Sequence, residues 1–227
     1  MRKPEAAIFD MDGVLVDSEP IHCKIEKKLF DKLGIVVDEA VHRSYMGASN
    51  EFMYSDLKSR FELQESVGEL IEMDESFRCD YFKNLDVILL NEGVINLLSE
   101  IKSAGLKLAV ATSSSPAIAD ILLNRCKITS WFDAVITASE AGKSKPAPDV
   151  YLLAAEKLGV SPANCIVFED SPNGLSAAQS AGMHCVAVQS DSGLIEELSN
   201  ADYLIRTFTE ITLVRLLEIF AVNRVAE

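Results

Sequence analysis

Short apolar runs alternate with helical patterns in the second half of the chain, and this alternation strongly restricts the possible folds. Four runs have the length of short buried strands: 106–111, 134–136, 165–168 and 185–188. Three helical patterns lie between them: about 115–126, 147–158 and 172–181. A further strand and helix are predicted at 203–206 and 212–220. Strands that alternate with such helices form right-handed β-α-β units with parallel strands. The sequence therefore predicts an α/β fold, with a Rossmann-like parallel sheet and helices on both of its faces.

An Asp-x-Asp-Gly motif follows the first apolar run of the chain. The run at 5–9 is a predicted strand, and Asp10, Asp12 and Gly13 come directly after it. Ligands bind beyond the carboxyl ends of parallel strands, so both carboxylates are predicted to lie where chemistry takes place. An isolated pair of this kind can equally be a turn after a strand, and its meaning depends on the rest of the chain.

Hydroxyl groups and a lysine also follow predicted strands. Thr112, Ser113 and Ser114 come after a strand and before a helix, where hydroxyl and backbone N–H groups suit phosphate oxygens. Lys145 opens the next helical segment in Lys-Pro-Ala-Pro-Asp and supplies a positive charge. The alternative for Lys145 is an ordinary solvated loop lysine.

Two more acids, Glu169 and Asp170, follow the predicted strand at 165–168. With Asp10 and Asp12 they bring four carboxylates to one edge of the sheet. Four unneutralised carboxylates would repel one another, so a cation that prefers oxygen ligands, such as Mg²⁺, is the expected partner. Capping of the following helix is an alternative role for the second pair, and it is compatible with metal binding.

Residues 20–86 differ from the rest of the chain because they carry helical patterns and no strong strand signal. The patterns begin at Pro20 and continue at 38–46, 50–61 and 67–85. We interpret this region as a helical domain inserted after the first strand. The chain would pass between the two domains twice, and these two connections would act as a hinge. The predicted domains are a core of 1–16 and 90–227 and a helical cap of 17–89.

Composition excludes several classes of function. The formal charge of −14, from 21 basic and 35 acidic residues, argues against nucleic-acid binding. No apolar run approaches the ~20 residues of a membrane span. Five scattered cysteines without a C-x-x-C pair predict a reduced, cytoplasmic protein. No long apolar stripe demands a partner, so a monomer is expected.

The four motifs together resemble those of the haloacid dehalogenase superfamily of phosphohydrolases. In chain order they are Asp-x-Asp-Gly-Val, Ala-Thr-Ser-Ser, Ser-Lys-Pro-x-Pro-Asp and Glu-Asp-Ser-x-x-Gly. The chain is most similar to the β-phosphoglucomutase and sugar-phosphate phosphatase branch, in which a helical cap follows the first motif. The resemblance covers essentially the whole chain.

This resemblance implies a phosphoryl-transfer mechanism. It makes Asp10 the nucleophile that forms an aspartyl-phosphate and Asp12 the acid and base. It implies that Mg²⁺ is held by the Asp10 carboxylate, the Asp12 backbone carbonyl and Asp170. Glu169 would either bind the metal directly or contact the residues that bind it. The implied substrate is a small phosphorylated metabolite, and the implied enzyme is a phosphomonoesterase.

The resemblance also implies which residues hold the substrate. Thr112 and Lys145 would bind the transferring phosphoryl group, and Ser113 or Ser114 could supply the hydroxyl in place of Thr112. Close relatives carry a histidine at the position of His22. It either contacts the acid/base aspartate across the hinge or is an ordinary residue of a first helical turn.

A mutase of this branch needs basic residues to grip the second phosphate of a sugar bisphosphate. Mutases carry Lys-Gly-x-x-Arg in the cap and Lys-Asn after the core serines. This chain has Met46-Gly47-Ala48-Ser49-Asn50 and Ser115-Pro116 at those places. Gly47 and Asn50 are predicted to contact substrate, and Arg43 is a possible compensating cation.

Loss of these cations favours a phosphatase of a small sugar or polyol phosphate. A β-phosphoglucomutase-type mutase is the alternative, and a non-catalytic binding module is a third possibility. The sequence does not identify the substrate.

Overall fold

The computed structural model describes residues 3–45, 50–189 and 196–222. The chain divides into two compact units. The first combines Met1–Ser18 with Ile88–Glu227, and the second is Glu19–Val87. The predicted cap range of 17–89 encloses the second unit.

The second unit is called the helical unit below. Its described residues form the helices α1 (Glu19–Leu33), α2 (Glu39–Ser44), α3 (Asn50–Phe61) and α4 (Val67–Asn84). Its core is formed by buried side chains that include Leu29, Tyr54 and Leu70. A capping box begins α4, because the Ser66 hydroxyl accepts from the Glu69 N–H while the Glu69 side chain accepts from the Ser66 N–H. The unit is thus a small helical domain with its own apolar core.

The first unit is built on one six-stranded sheet. Its strands are β1 (Ala6–Phe9), β2 (Lys107–Thr112), β3 (Ala134–Thr137), β4 (Cys165–Glu169), β5 (His184–Val188) and β6 (Tyr203–Ile205). The strand order is β3-β2-β1-β4-β5-β6, and every pair is parallel. All four residues of β1 are buried, as expected when helices cover both faces of a sheet. The predicted Rossmann-like α/β fold is confirmed.

The described part of the first unit contains the helices α5 (Val94–Ser103), α6 (Pro116–Arg125), α7 (Ala138–Ala141), α8 (Asp149–Leu158), α9 (Pro172–Ser180) and α10 (Leu213–Val222). Two of them, α5 and α7, add to the elements predicted from the sequence. The buried residues of α5 are spaced as on one helical face. Among the described residues, no helix has the length and hydropathy that crossing a membrane requires.

The central position of β1 determines where the motifs meet. The register pairs Phe9 with Val110 on one side and with Phe168 on the other. Asp10, directly after β1, therefore lies beside the ends of β2 and β4, and its N–H donates to the Phe168 carbonyl at 2.9 Å. The strands β2 and β3 lie on one side of β1, and β4, β5 and β6 lie on the other. The strand order therefore reverses between β1 and β4, and ligands bind at such a switch point.

Candidate active site

One lysine joins two buried carboxylates at this edge of the sheet. The Nζ of Lys145 donates to Asp10 Oδ1 at 2.7 Å and to Glu169 Oε1 at 2.5 Å. Only 6% of the lysine side chain is exposed. Burial lowers the pKa of Lys145, but the two carboxylates raise it more, so the ammonium stays charged. The ammonium is thus hydrogen-bonded to both carboxyl groups and is the counterion that they share.

The Asp10 carboxyl has an unusual protonation equilibrium. Burial raises the pKa of Asp10 to about 7, Lys145 opposes this rise, and the charge of Glu169 adds to it. Near neutral pH the group is therefore balanced between its two forms. A cation beside it would favour the carboxylate, which is the form able to act as a nucleophile.

Glu169 has hydrogen-bond donors on both of its oxygens. Oε1 accepts from Lys145 and from the Tyr151 hydroxyl at 2.7 Å. Oε2 accepts from the N–H groups of Asp170 at 2.9 Å and Ser171 at 3.0 Å, and from the Ser171 hydroxyl at 3.0 Å. Burial raises the pKa of Glu169. This rise is outweighed by the charge of Lys145 and by hydrogen bonds from Lys145, Tyr151 and the Ser171 N–H, so the pKa lies below its ordinary value. Glu169 is thus a fixed anion.

Two glycines make room for the acids of the fourth motif. A Cβ on Gly174 would lie 1.8 Å from Glu169 Oε1, and a Cβ on Gly13 would lie 1.8 Å from Asp170 Oδ2. Gly13 also has a φ of +72°, which side-chain-bearing residues rarely adopt. The role of Gly174 was not predicted, although it is the last residue of the Glu-Asp-Ser-x-x-Gly motif.

Three carboxylates are close enough to share a metal ion. One oxygen each from Asp10, Glu169 and Asp170 lies within 4.8 Å of the others. Oxygen-only ligand sets of this kind suit hard divalent cations. Both Glu169 oxygens already accept from protein donors, so Glu169 is poorly suited to direct coordination. The residues present fit a divalent metal centre.

Two serine hydroxyls hold the second aspartate of the first motif. Ser18 donates to Asp12 Oδ1 and Ser114 donates to Asp12 Oδ2, both at 2.7 Å. The Ser114 N–H donates to Thr112 Oγ1 at 3.0 Å, and Thr112 is buried at the end of β2. Ser113 is exposed. The structure thus brings Ser114 to Asp12, and Ser18 is a contact that the sequence analysis missed.

The helical unit contains a part-buried network of charges. Arg78 Nε donates to both oxygens of Asp74, at 2.9 and 2.8 Å, and Nη2 donates to Glu26 at 3.0 Å. Nη1 lies 2.7 Å from His22 Nδ1, and His42 Nε2 lies 2.5 Å from Glu26. Arginine cannot accept a hydrogen bond, so Arg78 is the donor and His22 Nδ1 the acceptor in this contact.

The remaining residues predicted for the cap are placed only in part. Asn50 is the exposed first residue of α3. Met46 and Gly47 lie outside the described residues, as does the side chain of Arg43. The contact of His22 with Asp12 stays a prediction.

The fold, the strand-end acids and the buried lysine define a class of hydrolase. Residues 4–182 match the haloacid dehalogenase-like hydrolase family. The chain belongs to this family of enzymes, which confirms the resemblance seen in its four motifs.

Individual relatives cover most of the chain. A phosphorylated carbohydrates phosphatase of Thermotoga maritima is 35% identical over 179 residues, or 79% of this chain and 82% of its own. The β-phosphoglucomutase of Bacillus subtilis is 30% identical over 229 residues, 98% of each chain. The crystal structure of a family IA, variant 3 hydrolase from Entamoeba histolytica matches with a TM-score of 0.85 and 28% identity, over 96% of this chain and 99% of that one. The similarity thus extends through both units.

Proposed function

We propose that this protein is a Mg²⁺-dependent phosphatase that hydrolyses a small sugar or polyol phosphate through an aspartyl-phosphate on Asp10. The observation that carries the proposal is the buried Asp10 carboxylate, hydrogen-bonded to Lys145 and grouped with Asp170. The similarity to a phosphatase of phosphorylated carbohydrates supports the substrate class. We further propose that the helical unit selects the substrate.

The reaction proceeds in two displacements. The Asp10 carboxylate attacks phosphorus while the bond to the leaving alkoxide breaks and Asp12 gives that oxygen a proton. Water then attacks the aspartyl-phosphate, and Asp12 takes its proton as inorganic phosphate leaves. Lys145 and Thr112 hold the phosphoryl oxygens, so that negative charge developing on them meets a fixed cation and a hydroxyl.

The metal would be held by Asp10, Asp170 and the backbone carbonyl of Asp12. When bound, Mg²⁺ offsets negative charge on the phosphoryl oxygens. Glu169 has a different role in this proposal. It keeps Lys145 in place, because one of its oxygens accepts from the lysine and the other is fixed by the backbone after β4.

A mutase reaction is less well supported by the charges of the helical unit. The part-buried cation Arg78 is paired with Asp74 and Glu26, which neutralise it. In the first unit, Ser115 caps α6 and Pro116 begins it, where mutases carry Lys-Asn. These features supply no free cation for a second phosphate group, and they favour water as the final acceptor.

The first test is release of inorganic phosphate from a panel of sugar and polyol phosphates that includes β-glucose 1-phosphate. We expect turnover of at least one substrate with Mg²⁺, its loss with excess chelator, and its return when Mg²⁺ is restored. From β-glucose 1-phosphate we expect little glucose 6-phosphate, with or without a sugar bisphosphate. Rapid bisphosphate-dependent isomerisation would instead identify a mutase, and full activity in chelator would contradict the metal requirement.

The second test addresses the role of Asp12. If Asp12 protonates the leaving group, Asp12→Ala should slow hydrolysis of a sugar phosphate by roughly 10²–10⁴-fold. Hydrolysis of p-nitrophenyl phosphate should slow much less, because its leaving group needs little protonation. Steady-state rates on both substrates make the comparison. Equal losses on both substrates would mean that the Asp12 side chain only helps to position the metal and does not transfer the proton.

A further inference from the structure

Tyr151 is a buried polar residue that the proposed mechanism leaves unused. It lies on α8 within the apolar core and is 0% exposed. Its hydroxyl donates to Glu169 Oε1 at 2.7 Å, and the Lys145 Nζ lies 5.0 Å from the centre of its ring. Phenylalanine would fill nearly the same volume, so packing alone does not require the hydroxyl.

The hydroxyl shares its acceptor with the lysine. Nζ of Lys145 lies between two carboxylates, and Glu169, at 2.5 Å, is nearer than Asp10, at 2.7 Å. Oε1 of Glu169 accepts from both Lys145 and Tyr151. Without the Tyr151 hydroxyl, Glu169 Oε1 would have the Lys145 ammonium as its remaining hydrogen-bond donor. Glu169 would then draw Lys145 away from Asp10.

We infer that Tyr151 is a positioning residue: its hydroxyl holds the Glu169 carboxylate and thereby sets Lys145 against Asp10. The inference rests on the proposed function, in which Lys145 binds the phosphoryl group that Asp10 attacks. Burial and the charges of Glu169 and Asp10 keep the pKa of Tyr151 well above its usual value, so the group remains a donor.

Tyr151→Phe tests this role because it keeps the ring and removes only the donor. We expect kcat to fall about 10-fold, as is typical when a residue that orients a site is removed. KM should change little, because Lys145 interacts most strongly with the negative charge that develops in the transition state. Displacing it therefore slows the reaction more than it weakens substrate binding. The affinity for orthovanadate, measured by calorimetry, should weaken in parallel and needs no turnover.

Tyr54→Phe is the matched control, since Tyr54 is also 0% exposed and lies in the core of the helical unit. It should retain the wild-type kcat and vanadate affinity, whatever its effect on the melting temperature. In a Glu169→Gln background, Tyr151→Phe should lose most of its effect, because the two residues act as one unit.

The possible outcomes separate this role from packing and from the proposed function. Unchanged kcat and vanadate affinity in Tyr151→Phe, or losses that add fully to those of Glu169→Gln, would overturn the positioning role. A wild-type protein that binds vanadate but hydrolyses no phosphate ester would count against the proposed function alone. The vanadate comparison would then still decide the role of Tyr151.

Discussion

Asp10→Asn is expected to lower kcat by at least about 10⁴-fold, because the amide cannot form the acyl-phosphate bond. The measurement is phosphate release from the best substrate at saturating Mg²⁺. Asp120→Asn, at an exposed aspartate on α6, is the matched control and should retain full activity. Near wild-type turnover in Asp10→Asn would exclude covalent catalysis by this residue.

The same variant should remain folded, and its stability should depend on pH in a defined way. The pKa of Asp10 is about 7 in the folded protein against an ordinary value of 3.8, so the folded state binds a proton that the unfolded state has released. This group therefore makes the metal-free wild type lose stability as the pH rises from about 4 to about 7. Asparagine avoids that loss.

Thermal unfolding in chelator measures this effect. At about pH 8, Asp10→Asn should melt a few degrees above the wild type, and at about pH 4 the two should melt together. A variant that melts well below the wild type at both pH values would mean that the Asp10–Lys145 pair stabilises the fold, and loss of activity would then no longer report on chemistry alone.

Gly174→Ala is expected to destabilise the protein by about 3 kcal/mol and to lower kcat sharply. The added Cβ would lie 1.8 Å from both Cδ and Oε1 of Glu169, a carboxylate that the surrounding donors hold in place. Displacing it separates a buried anion from Lys145. The expected fall in melting temperature is roughly 10 °C, measured alongside kcat on the same preparation.

Gly68→Ala is the control for a glycine in the first turn of a helix. Among the residues that the structure describes, apart from its chain neighbours and the backbone of its own helix, none has an atom within 4 Å of a Cβ placed on Gly68 in α4. There the alanine should be neutral or stabilise the protein by up to about 1 kcal/mol. Equal melting temperatures for Gly174→Ala and Gly68→Ala would show that Glu169 can move without penalty and that its fixed position is unimportant.

The sequence by itself determined the parallel sheet and the residues that follow the carboxyl ends of its strands. Apolar runs and helical patterns are local signals, so β1 and β4 were predicted within a residue or two of their observed bounds. Residues at the carboxyl ends of parallel strands converge whatever the details of packing, and so Asp10, Lys145 and Glu169 were expected near one another. The helix α5 was missed despite its amphipathic spacing.

Only the tertiary structure decided which of these residues pair. Lys145 and Asp10 are 135 positions apart, and Ser114 and Asp12 are 102 apart. No local pattern encodes which oxygen a donor reaches across such a separation. Tyr151 lies on a helix that the sequence predicts, but only the packing of α8 against the sheet brings its hydroxyl to Glu169. These pairs depend on tertiary structure because a buried polar group must form a hydrogen bond, and the packing of the chain decides which donor or acceptor lies within reach.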